Sequence, residues 1–340
     1  DGVIAINAPF LERILAVTGP VEMTDYGVTV TAENVIVETQ RQVELIYDRE
    51  ENRPKQFIAD LAAQLLPRLT APAAGQQPAL LAAVTNGVLA REIQLYSAHP
   101  NVQALVSELG ASGELKPTGS GDYLAVIATN ISGEKTDGVI TQHIRHQAEI
   151  ADDGSVIDTV TLTRTHHGVE GNLFDGVNNN SYLRFYVPEG SQLLEAEGFA
   201  LPKGGVEEAA APDLQEDVTL ASVEGAHDVD LASGVETWRE VNKTVFAHWL
   251  VVPPGEERTV RLRYRLPTMV NQDQSVWRLY VQAQSGRRGD TVQSDVEFPV
   301  DWQVRDRFGV TQASQDFGAM FSGNLDRDVF YGLTFASTLP

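Results

Sequence analysis

The chain has 340 residues, 42% of them hydrophobic, enough to bury more than one core, so two globular domains are expected. Its 47 acidic against 25 basic residues give a formal charge of −22, which repels nucleic acid and anionic lipid at long range and excludes a general binder of either. Cysteine is absent, which excludes disulfide frameworks, thiolate metal sites and cysteine nucleophiles, and no apolar run approaches the roughly 20 residues that span a bilayer.

The chain opens on an apolar, β-branched run, Val3 to Ile6, with the make-up of an inside strand. A buried strand is a poor terminus, so residues ahead of Asp1 are expected in a longer protein. Asn7, Ala8 and Pro9 then start a helix, Asn as cap and Pro in the first turn, with Phe10, Leu11, Ile14 and Leu15 at helical spacing. Tyr26 to Val30 alternates like a strand, and Thr31 caps a helix carrying Val35, Val43 and Leu45. Pro54 precedes a helix with Phe57, Ile58, Leu61, Leu65 and Leu66 in register, and another helix spans Ala79 to Ala90. "EIQLYS" reads as a strand, Asn101 to Leu109 as a helix and "DYLAVIAT" as a central strand, so this half is α/β.

From Thr136 the period becomes two. Ile140, Ile144, Ala148 and Ile150 share one face, Asp153-Gly154 makes the tight turn, and Val156 to Thr165 returns as the second arm of a hairpin. Further strands are expected at Tyr182 to Val187, Thr244 to Val252, Thr259 to Leu266, Val276 to Gln284 and Gln293 to Phe298, a spacing that suits a β-sandwich. The segment 205–236 carries nine acidic residues and no Lys or Arg; it reads as a solvated insertion, since the evenly placed ligands of a calcium loop are missing.

No G-x-S-x-G elbow, H-E-x-x-H or dinucleotide glycine fingerprint occurs. His143 and His146, three apart on a predicted strand, diverge to opposite faces, as do the adjacent His166 and His167, so neither pair chelates locally and no metal site is assigned. The densest charge cluster, "TQRQVELIYDREENRPKQFIADL", holds Arg41, Arg49, Arg53 and Lys55; guanidinium groups at helix ends suit a tetrahedral anion, and exposed helix salt bridges explain the same residues. In "RTVRLRYRLP", Arg261, Arg263 and Arg265 share one face and are candidates for an interaction surface or for pairing with carboxylates on neighbouring strands. "RRGD", Arg287 to Asp290, reads as turn chemistry.

In order along nearly the whole chain, "DGVIAINAPFLERILAVTGPVE", "YGVTVTAENV", "RPKQFIADLAAQLLPRL", "REIQLYSAHPNVQALVSELGASGEL", "GDYLAVIATNISGEKTDGVI", "YLRFYVPEGSQLLEAEGF", "FAHWLVVPPGEERTVRLRYRLP" and "WRLYVQAQSG" resemble the bacterial family called domain of unknown function 4012. That resemblance implies an exported protein with an amino-terminal membrane anchor and a further extracytoplasmic stretch ahead of Asp1. The first third, from "TGPVE" through "GVTVTAENV" to "RPKQFIADL", is also similar to the LytR-CpsA-Psr phosphotransferases, which attach glycopolymers to the bacterial wall using arginines, a polyprenyl pyrophosphate and a divalent metal. The second likeness places Arg53 and Gln56 near that family's second arginine-glutamine motif and Arg41 or Arg49 near its first; the paired arginine motif is incomplete and the likeness places no acidic metal ligands.

The expectation is therefore an α+β chain: an α/β layered, LytR-CpsA-Psr-like domain over 1–175 with a trailing hairpin, then a β-rich, sandwich-like domain over 176–340 with the acidic insertion at about 205–236. The expected function is that of a noncatalytic, membrane-anchored, extracytoplasmic envelope protein without cofactor, whose partners are other envelope proteins, copies of itself or surface glycan. The alternative is a phosphotransferase on lipid-linked glycopolymers with Mg²⁺ as cofactor, acting through Arg41, Arg49, Arg53, Lys55 and Gln56.

Overall fold

In a computed structural model the chain divides into two compact units, Asp1–Glu114 and Leu115–Pro340. The structure describes all residues except 48–51, 118, 205–214, 216, 220–224, 226, 271–275, 310, 316–317 and 337–340, and describes 311–315 by backbone alone.

The first unit runs β1 (Gly2–Ile6), α1 (Ala8–Thr18), β2 (Val21–Met23), β3 (Val28–Val30), α2 (Val35–Arg41), α3 (Gln56–Thr70), α4 (Gln77–Leu89), β4 (Ile93–Ser97) and α5 (Pro100–Glu108). Phe10, Ile14 and Leu15 of α1, Phe57, Leu61 and Leu65 of α3, and Leu80 and Ala83 of α4 close one core with Val21, Met23, Val30, Val35 and Ile93. This is the i, i+4 stripe read from the sequence; Ile58 and Leu66 fall outside it and are exposed. Gly87 lets α4 approach α1, because a Cβ there would lie 2.9 Å from the Phe10 ring. The helix after Thr31 is shorter than expected: α2 ends at Arg41 and a wider π turn over Gln42–Ile46 leaves Leu45 and Ile46 exposed.

Three local expectations need correction. The residue ahead of α2 is Asn34, not Thr31, and no side chain caps that helix. Asn7 makes no side-chain cap on α1; its amide Nδ2 donates to the carbonyl of Arg91 at 3.3 Å instead. Strand β1 is not an inside strand: it pairs antiparallel with β4 in a two-stranded sheet, and Val3, Ile4 and Ile6 are 60%, 73% and 49% exposed. An apolar run records a demand for cover, and a two-stranded ladder cannot supply it on both faces.

The second unit runs β5 (Asp122–Asn130), β6 (Ile140–Ile150), β7 (Ser155–His166), β8 (Asn179–Pro188), β9 (Gln192–Glu197), β10 (Asp228–Val229), β11 (Glu236–Glu240), β12 (Lys243–Val252), β13 (Glu257–Met269), β14 (Val276–Gln282), β15 (Thr291–Glu297), β16 (Gln303–Phe308), β17 (Thr311–Gln315), β18 (Gly318–Asn324) and β19 (Val329–Ala336). They form an eight-stranded sheet, β10-β11-β12-β8-β5-β14-β19-β16, and a seven-stranded sheet, β17-β18-β15-β6-β7-β13-β9. Side chains of both sheets meet in one core, with Leu124, Phe185, Phe246, Trp277 and Leu333 from the larger and Ile144, Val160, Leu262, Val296 and Phe321 from the smaller. The middle of the larger sheet is also buried on its other face, where Tyr123, Tyr186, Trp238 and Val245 cluster.

The hairpin β6–β7 forms in the expected register around Asp153-Gly154, with Gly154 at φ +82°. Neither it nor the "DYLAVIAT" strand belongs to the α/β unit, so the boundary falls after Glu114 rather than near residue 175. Strand β5 pairs with β8 and β14, and β6 pairs with β15; these long-range ladders tie both segments to strands far downstream, which adjacency in sequence could not reveal. The whole is a mixed α and β chain in which strands dominate, most of the acidic segment lying outside the described residues. Among the described residues no helix is long and apolar enough to cross a membrane.

Candidate functional site

The anion-binding candidates are only partly brought together. Arg53, Lys55 and Gln56 line an open groove of about 380 Å³ with Asn52, Pro54 and Ala59, where the chain enters α3. Gln56 Nε2 donates to Asp60 Oδ1 at 2.8 Å and the Tyr26 hydroxyl donates to Asp60 Oδ2 at 2.5 Å, so Asp60 ties the groove floor to the turn before β3. Partial burial and then the Asp60 carboxylate push the Tyr26 phenol up to about 12, keeping it a donor. Arg41 lies outside the lining and meets Glu38 of its own helix at 3.6 Å. Arg49 lies outside the described residues.

The arginine row of β13 is paired within the sheet. Arg261 reaches Glu197 at 3.5 Å and Glu195 at 3.7 Å on β9, Arg263 reaches Glu149 on β6 at 3.6 Å, and the Arg265 charge helps to hold the Asp153 carboxyl below its usual value, behind the hydrogen bonds from Ser155. Arg261 stands directly opposite Glu197 in the ladder, so its pairing is cross-strand, whereas Arg263 reaches past β7 to its carboxylate on β6.

At one end of the larger sheet, Gly190, Ser191, Gln192, Asp228, Thr237, Trp238, Arg239 and Thr244 line a concavity of about 430 Å³. The His227 ring stacks on Trp238 at 4.4 Å and 6°, its Nδ1 is 3.0 Å from Glu236, and Trp238 Nε1 donates to Glu240 at 3.1 Å. An indole wall with amide, carboxylate and guanidinium groups around it has the chemistry of a small polar ligand site.

The largest departure from expectation lies in the core. Alternation turns His143 outward and His146 inward on β6, as read from the sequence, and the inward ring meets carboxylates that the sequence holds far away. His146 Nε2 is 3.2 Å from Asp122 Oδ2 on β5 and 3.5 Å from Asp158 Oδ1 on β7, with all three side chains at most 2% exposed. Its Nδ1 is 3.0 Å from the Ser294 hydroxyl on β15. Tyr264, cross-strand from Asp158, completes the group and is fully buried. Burial alone would discharge the imidazolium; the facing Asp158 and Asp122 overcome that and raise its pKa, while burial and then the Asp122 charge raise that of Asp158 against the pull of His146.

A second buried network closes one end of the unit. Arg287 of the "RRGD" turn donates through Nε and Nη2 to Asp290, each bond 2.7 Å, and through Nη2 to the Ile140 carbonyl at 3.2 Å. Gln142 Nε2 donates to the same carboxylate at 3.3 Å. Arg164, fully buried nearby, donates to Ser181 and lies 3.6 Å from Asp137. Burial, reinforced by the Arg287 charge, lowers its guanidinium to about 10. The turn reading of this tetrapeptide thus has a concrete basis: Gly289 takes φ +75° and Asp290 holds the arginine three residues earlier.

Sequence reasoning missed the core trio because His146 was weighed only against His143. The signal available was a polar residue flanked by apolar ones at inward positions of three strands: Asp122 before Leu124 and Val126, His146 between Ile144 and Ala148, and Asp158 between Val156 and Val160.

No family model matches the chain, and no curated protein matches it. Among solved structures the alignments are distant. A candidate nutrient-binding protein from Legionella pneumophila aligns with a TM-score of 0.30 at 8% identity, over 63% of this chain and 71% of that one. The M1 zinc metallopeptidase from Deinococcus radiodurans aligns with a TM-score of 0.26 at 10% identity, over 60% of this chain and 43% of that one. Likenesses this distant carry no functional argument.

Proposed function

We propose that this chain is the extracytoplasmic part of a noncatalytic, membrane-anchored bacterial envelope protein that works by associating with partner proteins, further copies of itself or surface glycan. In this reading the first unit has the layering of the LytR-CpsA-Psr domains and the second is a β-sandwich, as the resemblances imply. One observation carries the association: β1 presents Val3, Ile4 and Ile6, with Tyr96 beside them on β4, as exposed apolar side chains on a strand whose far edge has no ladder partner among the described residues. An exposed apolar edge strand is a template for an added strand, the geometry of β-augmentation. The Trp238 concavity offers a second, polar contact of the kind a glycan takes.

Because the chain has no cysteine, Ile4→Cys introduces a single thiol for cross-linking in the native envelope. Cross-links from Ile4→Cys to a second polypeptide are expected, and Ile4→Lys should weaken that association about tenfold or more, the loss of one buried aliphatic side chain. Links confined to the same polypeptide would overturn the reading.

The groove lined by Arg53, Lys55 and Gln56 favours the phosphotransferase as a second reading. It requires that the protein retain a polyprenyl pyrophosphate and that Arg53→Ala weaken that retention about tenfold, the loss of one charge-assisted bond. A wild-type protein that captures none in a lipid-binding assay rejects it.

A further inference from the structure

The trio of Asp122, His146 and Asp158 is built unlike a finished ion pair. Although His146 Nε2 lies 3.2 Å from one carboxylate and 3.5 Å from the other, it makes no aligned hydrogen bond to either. Asp122 Oδ2, both carboxylate oxygens of Asp158 and the Tyr264 hydroxyl are likewise buried without a hydrogen-bond partner. Five polar atoms therefore face one another in a region where leaving a single one unsatisfied costs about 1–3 kcal/mol. The remaining contacts hold these atoms inward: Ser294 engages the other imidazole nitrogen at 3.0 Å, and the Tyr123 amide donates to Asp122 Oδ1 at 2.6 Å. Such anchoring of the far side of His146 and Asp122 is what outer partners do at metal sites.

The spacing is also informative. Donor atoms around a four-coordinate ion with bonds of about 2.0–2.1 Å stand about 3.3–3.4 Å from one another, and the His146 separations bracket that value. One donor atom from each of the three residues lies within 4.8 Å of the others. One imidazole with two carboxylates matches a divalent transition ion such as Zn²⁺, whereas Mg²⁺ and Ca²⁺ favour all-oxygen shells of higher coordination number. A divalent cation would neutralise both carboxylates in a core that water does not reach.

We propose that Asp122, His146 and Asp158 form a structural site for a zinc-like divalent transition ion, with Tyr264 beside it, which clips the two large sheets together through their shared core. Asp122 comes from the eight-stranded sheet and the other two from the seven-stranded sheet, so the ion crosses between layers that share a largely apolar core. A site this deep is loaded as the unit folds. The inference is independent of the association through β1.

The test is to unfold the protein with EDTA, refold it with and without one equivalent of Zn²⁺, desalt it, and measure bound metal and thermal stability. The expected result is one tightly held ion per chain and a Tm several degrees above that of the metal-free protein. In Asp158→Asn and His146→Gln the ion is lost and the zinc-dependent rise in Tm disappears, while His143→Ala and His227→Ala, on exposed histidines, leave both unchanged. Because a core variant can fail to fold, Co²⁺ loaded into the wild-type protein supplies a second readout, the visible absorption of a tetrahedral N/O site. A wild-type protein that refolds to the same Tm with and without zinc and keeps no ion overturns the proposal and leaves the trio as a proton-sharing ion pair. So does zinc retained by folded His146→Gln, which would assign the ion to surface histidines.

Discussion

Asp290→Ala is expected to destabilise the second unit by about 3–5 kcal/mol, because removing one member of a buried pair leaves the other charge uncompensated. The Asp290 carboxylate is 3% exposed and accepts two bonds from Arg287 and one from Gln142. Without it, a guanidinium that is itself 9% exposed keeps only the Ile140 carbonyl among these contacts, and it faces the buried charge of Arg164 with one counter-ion fewer. In a unit of this size a loss of that order lowers Tm by roughly 10 °C. Differential scanning calorimetry of the variant checks this, and a change below about 1 kcal/mol would mean that water reaches the pair. Arg287→Met with Asp290→Leu, which removes both charges, should recover most of the loss.

His146→Leu is expected to be comparably damaging in metal-free buffer, costing about 3–5 kcal/mol, since it leaves Asp122 and Asp158 facing each other in the core without the imidazole between them. The triple replacement Asp122→Asn, His146→Leu and Asp158→Leu should be more stable than His146→Leu alone and near the wild type, because matched removal of buried charges is close to neutral or favourable. Denaturant unfolding of the variants in EDTA gives the comparison. Equal losses in the single and triple variants would show that packing of the imidazole ring, rather than charge, sets the cost. The trio is conspicuous because its neighbours are apolar: Trp277 lies 6.5 Å from the His146 ring and stacks on Phe321.

Much of the local structure is legible in the sequence because its cause is local. The stripe of Phe57, Leu61 and Leu65, the alternation along β6 and the Asp153-Gly154 turn each follow from side-chain period and backbone freedom over a few residues. Strands β9 and β16 escape such reading because they are largely exposed and polar, so no apolar alternation marks them. The arginine row was visible as a row, and its pairing with Glu195, Glu197 and Glu149 became visible only once β9 was seen beside β13 and β6 one strand beyond it, across β7. Of the anion candidates, adjacency in sequence kept Arg53, Lys55 and Gln56 together, while the break after α2 left Arg41 outside their groove.

By itself the sequence determined an α+β chain of strongly acidic character, the positions of most longer helices and strands as far as Phe298, and which face of each is apolar, since these follow from composition and period. Only the tertiary structure decided where the first unit ends, that β1 is uncovered, and that Asp122, His146 and Asp158 share a point in the core. The physical reason is range: period and propensity act across a turn or a ladder step, whereas a strand's neighbours, and hence the meeting of side chains from positions 122, 146 and 158, are set by which long-range ladders and opposed sheet faces give the lowest free energy for the whole chain.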